Sequence, residues 1–251
     1  MNASRWFIRP DPRPYADMRL VCLPYAGGSA ATYIPWASSL ADNVELVCAQ
    51  PPGRSSRMGE PAHTSMEAMV ADLSAAIVGL FDKPYLLFGH SLGSRVAYAF
   101  ARRCASIGLP GPARLIASGS RAPHVPSTRA SIHDLPKDDF VAKLRELDGT
   151  PEEVLSNAEL LDLVIPLLRA DFRIADIYRA GLQPLDCPVT VLAGMDDHEV
   201  ARADVDAWRE LTTGGCEIHW LPGGHFFVNE QRAEVIARVN QAIGQTSRML
   251  A

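Results

Sequence analysis

The sequence predicts an α/β chain with a mostly parallel, doubly wound central sheet flanked by helices. Three observations carry that prediction. Short, continuous apolar runs end at Gly or Pro, as strands do when both faces of a parallel sheet are covered. Longer segments with apolar residues at helical spacing alternate with these runs. One interval, about 131–178, holds only helical patterns and so predicts a helical insertion into the alternation.

Taken in order, strands are expected at 20–25 (LVCLPY), 44–49 (VELVCA), 85–89 (YLLFG), 114–118 (RLIAS), 189–193 (VTVLA) and 217–221 (EIHWL). The second is closed by Pro51-Pro52-Gly53. A helix over 64–81 opens with a capping pattern in Thr64, Ser65 and Glu67, and places Met66, Met69, Val70, Leu73, Ile77 and Leu80 on one stripe. Further helices are read at 92–103, 201–211 and 231–243. Within the insertion, 135–147 and 158–178 read as helices, with Pro151-Glu152-Glu153 opening a short one between them. Pro166 is expected to start or kink a helix, because proline lacks the N–H that a helix interior uses.

Composition limits the function. The 251 residues are 47% hydrophobic and 21% charged, which excludes disordered, collagenous and coiled-coil classes. Length allows one or two domains at roughly 150 residues each, and residues 1–251 are read as one. With a net charge of −5 the chain lacks the basic footprint of a nucleic-acid binder. The five cysteines (Cys22, Cys48, Cys104, Cys187, Cys216) are odd in number and never form a C-x-x-C pair, and three sit in apolar, strand-like runs. That pattern argues against a disulfide framework or zinc knuckle. The arginine- and proline-containing stretch 1–19 has no apolar core of a secretory signal. No run approaches about 18 uninterrupted apolar residues. A cytoplasmic protein without a membrane span is expected.

The sharpest chemical signal is Gly89-His90-Ser91-Leu92-Gly93, a G-x-S-x-G between a predicted strand and a predicted helix. A chain turning that sharply leaves no room for side chains at the two glycines, and it presents the serine hydroxyl at a helix N-terminus. A hydroxyl needs an adjacent base to become a nucleophile. Of the seven histidines, His90 lies inside the elbow and should point away from Ser91, and His219 falls within a strand, where it reads as a packed residue. His63, His124 and His133 read as solvated loop residues. His225, in the loop after the last strand (Leu221 to Phe227), stands where the order Ser, acid, His puts the base.

The acid belongs in the loop after the preceding strand, Gly194-Met195-Asp196-Asp197-His198-Glu199, where spacing alone leaves Asp196 and Asp197 both open. The same loop read as a metal site lacks a second ligand cluster. Two backbone amides should face the developing oxyanion: that of Leu92, and one from Pro24-Tyr25-Ala26-Gly27-Gly28-Ser29-Ala30. No Gly-Lys-Ser/Thr follows those glycines, so they do not form a phosphate loop. Tyr25 and Phe226 flank the site and are expected to line a substrate pocket.

Four stretches together make the sequence resemble the type II (stand-alone, editing) thioesterases of non-ribosomal peptide synthetase and polyketide synthase systems. They are residues 22–30, Gln50-Pro51-Pro52-Gly53-Arg54, Gly89 to Gly93, and Pro222-Gly223-Gly224-His225-Phe226-Phe227. The resemblance spans about residues 20–243. It implies an α/β-hydrolase fold whose helical lid is the 131–178 insertion. It also implies hydrolysis of acyl groups from the phosphopantetheine arm of acyl or peptidyl carrier proteins, by a Ser-His-Asp acyl-enzyme mechanism that needs no cofactor or metal.

The family's Gly-Asp-x-Asp-Pro loop matches its last Asp to Asp197, although Met195 and His198 stand here where the pattern has Asp and Pro. The second oxyanion donor maps to Ala26. A monomer is expected. Because carriers are acidic and this chain is too, docking would use local basic residues around the lid, with Arg121, Arg129, Lys137 and Lys143 as candidates. The alternatives are another hydrolase on this fold (a medium-chain fatty acyl thioesterase, carboxylesterase or lactonase) and a non-catalytic binding module.

Overall fold

The computed structural model describes residues 5–251. The first four residues of the stretch read as lacking a secretory signal lie outside it. The described residues contain seven strands: β1 (Phe7–Ile8), β2 (Met18–Leu23), β3 (Val44–Ala49), β4 (Tyr85–His90), β5 (Arg114–Ser118), β6 (Val189–Gly194) and β7 (Cys216–Leu221). They form one sheet in the order β1-β3-β2-β4-β5-β6-β7. All neighbours are parallel except β1, which runs antiparallel to β3 with Phe7 opposite Ala49. The six parallel strands are the six that the sequence predicts. β1 was not expected, because two residues carry no periodicity.

Every residue of β2, β3, β4, β5 and β6 is buried, the condition their unbroken apolar runs require. Alternate side chains feed two cores. On one face Leu87 packs with Leu73 of α1 (Met66–Ile77) and with Ala97 and Phe100 of α2 (Leu92–Ile107). On the other, Leu86 and Phe88 pack with Tyr33, Trp36 and Val239, the last on the C-terminal helix Arg232–Leu250. α1 starts where the capping pattern predicts, with the Ser65 hydroxyl accepting the Ala68 N–H at 3.2 Å.

Between β5 and β6 the chain forms α3 (Lys137–Glu146), α4 (Glu152–Leu155) and α5 (Ala158–Ile177), with a small core of their own around Phe140, Leu144, Leu161 and Leu168. α5 runs through Pro166 without restarting there. Pro166 and Asp162 are both exposed, so the carbonyl that proline leaves unpaired can be met by water.

The rest of the chain carries α6 (Arg202–Asp206), α7 (Phe227–Glu230) and α8, the Arg232–Leu250 helix that packs on β4. The five cysteines are free thiols, and Cys22, Cys48 and Cys216 lie in strands. Among the described residues no helix is long and apolar enough to cross a membrane.

Candidate active site

The turn from β4 into α2 is as tight as the G-x-S-x-G spacing demands. Ser91 sits at φ 52°, ψ −115°, a conformation costly for a residue with a side chain. A Cβ on Gly89 would come within 2.2 Å of the Gly93 backbone, and one on Gly93 within 2.2 Å of the Leu23 carbonyl oxygen. The serine is held there by its own N–H donating to the Ser118 carbonyl at 2.8 Å, and by its carbonyl accepting the Ser94 N–H at 3.1 Å.

Two loops at the same edge of the sheet complete the arrangement. The one after β6 is tied to the one after β7 by the Met195 and Asp196 amides, which donate to the Leu221 and Gly223 carbonyls at 2.8 and 3.0 Å. The 194–199 turn thereby aims Asp197 inward, where its side chain is 3% exposed, while Asp196 faces solvent. Asp197 Oδ2 lies 2.9 Å from His225 Nδ1, and His225 Nε2 lies 3.0 Å from Ser91 Oγ. A carboxylate only accepts, so Nδ1 carries the ring proton and Nε2 is free to accept the serine hydroxyl. Asp197 Oδ1 is satisfied by the Glu199 N–H at 2.8 Å.

Of the two aspartates that spacing left open, the structure brings Asp197 to the imidazole. A carboxylate that the sequence reading missed is also close: Glu199 Oε2 stands 3.8 Å from His225 Nε2 and pairs with Arg129 at 2.6 Å.

Ser91 and His225 open onto a cleft that holds about 770 Å³ of empty space, part of it continuous with solvent. Ala26, Leu92, Tyr25 and Phe226 line it, and the rings of Tyr25 and Phe226 meet edge-on with centroids 5.2 Å apart. Leu92 is the first residue of α2, so its amide has no intrahelical acceptor. Leu144, Leu168 and Phe172, all from α3 and α5, form the opposite wall.

His90 turns away from Ser91 as expected. It is fully buried, with Nδ1 2.9 Å from Ser118 Oγ and its Nε2 without a partner. Burial, reinforced by the neighbouring His225, holds its pKa well below the usual histidine range, so it packs beneath the His225 ring as a neutral aromatic.

The expectations for four other histidines need correction. His63, His124 and His133 are half-buried rather than solvated, because each loop folds its ring against a carboxylate: Asp72 at 3.2 Å, Glu210 at 3.5 Å and Asp176 at 2.9 Å. His219 is only half-buried, because β7 is an edge strand. Three of the basic docking candidates have partners at the surface, and the fourth lies in the cleft. Lys137 pairs with Asp162, Lys143 with Glu146 and Arg129 with Glu199, while Arg121 lines the cleft.

The sequence reading also missed a buried ion pair beside the site. Asp171 of α5, fully buried, takes a two-pronged contact from Arg54 (2.9 and 3.0 Å) and accepts the Gly27 N–H at 2.8 Å. Arg54 also donates to the Gly28 carbonyl at 3.0 Å. The signal was present: Asp171 falls on the apolar stripe of Leu167, Leu168 and Ile174, where a carboxylate demands a buried partner.

Known proteins of similar sequence and structure point the same way. A model of the thioesterase domain matches residues 18–243. The chain is 34% identical over 97% of its length to linear gramicidin dehydrogenase LgrE of Brevibacillus parabrevis, covering 94% of that protein. It is 38% identical over 94% of its length to the thioesterase PikA5 of Streptomyces venezuelae, covering 84% of it. Among solved structures, the type II thioesterase BorB of the borrelidin biosynthetic cluster superposes with a TM-score of 0.85 at 35% identity, over 94% of this chain and 96% of that one.

Proposed function

The chain belongs to the thioesterase domain family, and from that premise we propose that it is a stand-alone thioesterase that clears acyl groups from the phosphopantetheine arms of carrier proteins in a non-ribosomal peptide or polyketide pathway. Solved structures named for such pathways match over more than nine-tenths of the chain. The carrying observation is the His225 ring, within hydrogen-bond distance of Ser91 on one side and Asp197 on the other, at the mouth of a closed-over cleft.

In this reading His225 takes the Ser91 proton as the oxygen attacks the thioester carbonyl. Asp197 holds the imidazole in the right tautomer and offsets its positive charge. The Leu92 and Ala26 amides stabilise the tetrahedral oxyanion. His225 returns the proton to the departing thiol, then activates water, which releases the acid and restores the serine. Helices α3 to α5 act as a lid that keeps bulk water from the acyl-enzyme. The carrier brings the pantetheine arm, so the arm is part of the substrate. A monomer acting in the cytoplasm, where it would meet its carriers, completes the proposal.

One relative's name raises a dehydrogenase. The loop after β2 reads Tyr25-Ala26-Gly27-Gly28-Ser29-Ala30, without the G-x-G-x-x-G spacing of a dinucleotide site, and the Gly27 amide is already taken by Asp171.

The test is to compare turnover of acetyl- and butyryl-loaded carrier protein, the matching CoA thioesters and p-nitrophenyl butyrate. A carrier-directed thioesterase shows its highest kcat/KM on the loaded carrier. Turnover of the oxygen ester with none of any thioester would overturn the reading.

A further inference from the structure

The cleft wall holds a cation for which thioester hydrolysis itself has no use. Arg95 lies one turn beyond Ser91 on α2, about 6 Å further along the helix axis, and its side chain lines the cleft beside Ser91 and His225. It is 7% exposed. One guanidinium nitrogen donates to the Ala175 carbonyl at 2.6 Å, while Nε has no acceptor. Among the described residues, no carboxylate pairs with it.

Arg121 lines the same wall, with its Nε on the Val125 carbonyl at 3.1 Å and no carboxylate partner among the described residues. Carboxylates stand near the two without a direct ion pair: Asp176 acts on Arg95 through space, and Asp204 and Asp176 on Arg121. Asp176 Oδ2 is taken by the amides of Ile132 and His133 and by the His133 ring. Glu199 pairs with Arg129, and Asp204 lies on the Arg121 side of the polar lobe. Burial, with the repulsion of Arg121, pushes the Arg95 pKa down to about 9, which leaves it cationic at neutral pH. Burying an unpaired cation is costly, and the cost falls when an anion docks against it.

Thus the cleft has two lobes at the nucleophile. One is apolar, under Leu144, Leu168 and Phe172. The other is polar, lined by Arg95, Arg121, Arg129 and Ser120 together with the carboxylates of Glu199 and Asp204. We propose that the polar lobe is a subsite for a carboxylate carried by the acyl group itself, so that the substrates include short dicarboxylic half-thioesters of the malonyl-to-glutaryl class.

The inference rests on the thioesterase reading and adds to it the identity of the acyl group. The bond chemistry is unchanged: water is added across the acyl–sulphur bond, giving the diacid and the free thiol, while Arg95 touches only the distal carboxylate. The phosphate of the pantetheine arm is a poorer occupant. The whole pantetheine separates it from the sulphur, whereas Arg95 is one helical turn from the serine.

The experiment uses succinyl and butyryl thioesters, which match in chain length, each made on CoA and on N-acetylcysteamine, which has no phosphate. The wild-type protein should favour succinyl over butyryl by about tenfold or more in kcat/KM on both thiols, a charge-assisted hydrogen bond being typically worth that much. Arg95→Met should lower the succinyl-to-butyryl ratio by about tenfold to hundredfold, and Arg95→Lys should restore part of it.

A wild-type ratio at or below one would overturn the subsite while leaving the thioesterase reading intact. Hydrolysis of neither thioester would overturn both. An Arg95→Met defect equal for the two CoA thioesters and absent with N-acetylcysteamine would assign Arg95 to the arm's phosphate and overturn the proposal. Should Arg95→Met not fold, competitive inhibition of the wild type decides. Succinate must inhibit more strongly than butyrate, and equal inhibition overturns the subsite.

Discussion

The carboxylate of Asp171, on helix α5, accepts the backbone N–H of Gly27 at 2.8 Å. Gly27 is the neighbour of Ala26, whose amide is the proposed second oxyanion donor, and the same carboxylate grips Arg54. Helix α5 therefore ties down the loop that carries the proposed oxyanion donor. Asp171→Asn should cut kcat by about tenfold to hundredfold with little change in KM, because a small misplacement of a preorganised donor is costly. It should also lower stability by about 3–5 kcal/mol, since Arg54 is left buried without its anion. Steady-state kinetics and urea unfolding read the two effects separately. A variant of unchanged kcat would detach the helix from the oxyanion loop.

Ser91→Ala should abolish hydrolysis and fluorophosphonate labelling while the protein stays folded. Ser91→Gly should be equally inactive yet more stable, by about 1 kcal/mol, because glycine accepts φ 52° without strain. Thermal melts of the two variants side by side make the comparison, and residual labelling of either would move the nucleophile elsewhere.

Asp197→Asn should reduce kcat by up to about 10⁴, the scale seen when the acid of such a relay is neutralised and the tautomer reversed. Asp196→Asn, whose side chain faces solvent, should stay near wild type. The opposite ranking reassigns the acid.

Gly93→Ala should fail at the level of folding. Its methyl would meet the Leu23 carbonyl at 2.2 Å, a backbone atom in the centre of the sheet that cannot step aside. A loss of several kcal/mol is expected, visible as a lowered urea midpoint. A variant of wild-type stability would show that the elbow has more room than the structure gives it.

Acid should destabilise the fold in two stages. His90 stays neutral in the folded state while the unfolded chain takes up its proton below about pH 6.5. Stability therefore falls as pH drops through that value, at up to about 1.4 kcal/mol per pH unit. His90→Asn should flatten the dependence between pH 7 and 5. Burial alone would raise Glu45, but hydrogen bonds from Arg19, Arg9 and the Arg13 amide hold it below the ordinary glutamate range. Its contribution is present above about pH 4.3 and is lost as pH falls through the lower folded value. Glu45→Gln should cost about 1–3 kcal/mol at neutral pH, and the deficit should vanish in stronger acid. Unfolding titrations across pH test both stages.

The six parallel strands and the Ser91 elbow were legible in the sequence because their signals are local: unbroken apolar runs, and two glycines spaced about a serine. The choice of Asp197 over Asp196 was not local. It depends on how the 194–199 turn hangs from the loop after β7, which spacing cannot register. Asp171 and Arg54 are 117 residues apart, and only the folded chain makes them neighbours, although an acid on an apolar helix stripe was a readable warning. Arg95 was hidden differently. It sits on an otherwise ordinary amphipathic helix, and nothing in the sequence says that its Nε would end without an acceptor.

His225 and Ser91, the proposed base and nucleophile, are 134 residues apart, and the imidazole arrives on the loop after the last strand of the sheet. During synthesis the alcohol is therefore made long before its activator. A growing chain that has reached only residue 215 holds Ser91 without His225, so on this proposal it should lack hydrolysis. The same order makes C-terminal truncation a switch. Removing β7 together with α7 and α8 should silence the protein however well the remainder is packed.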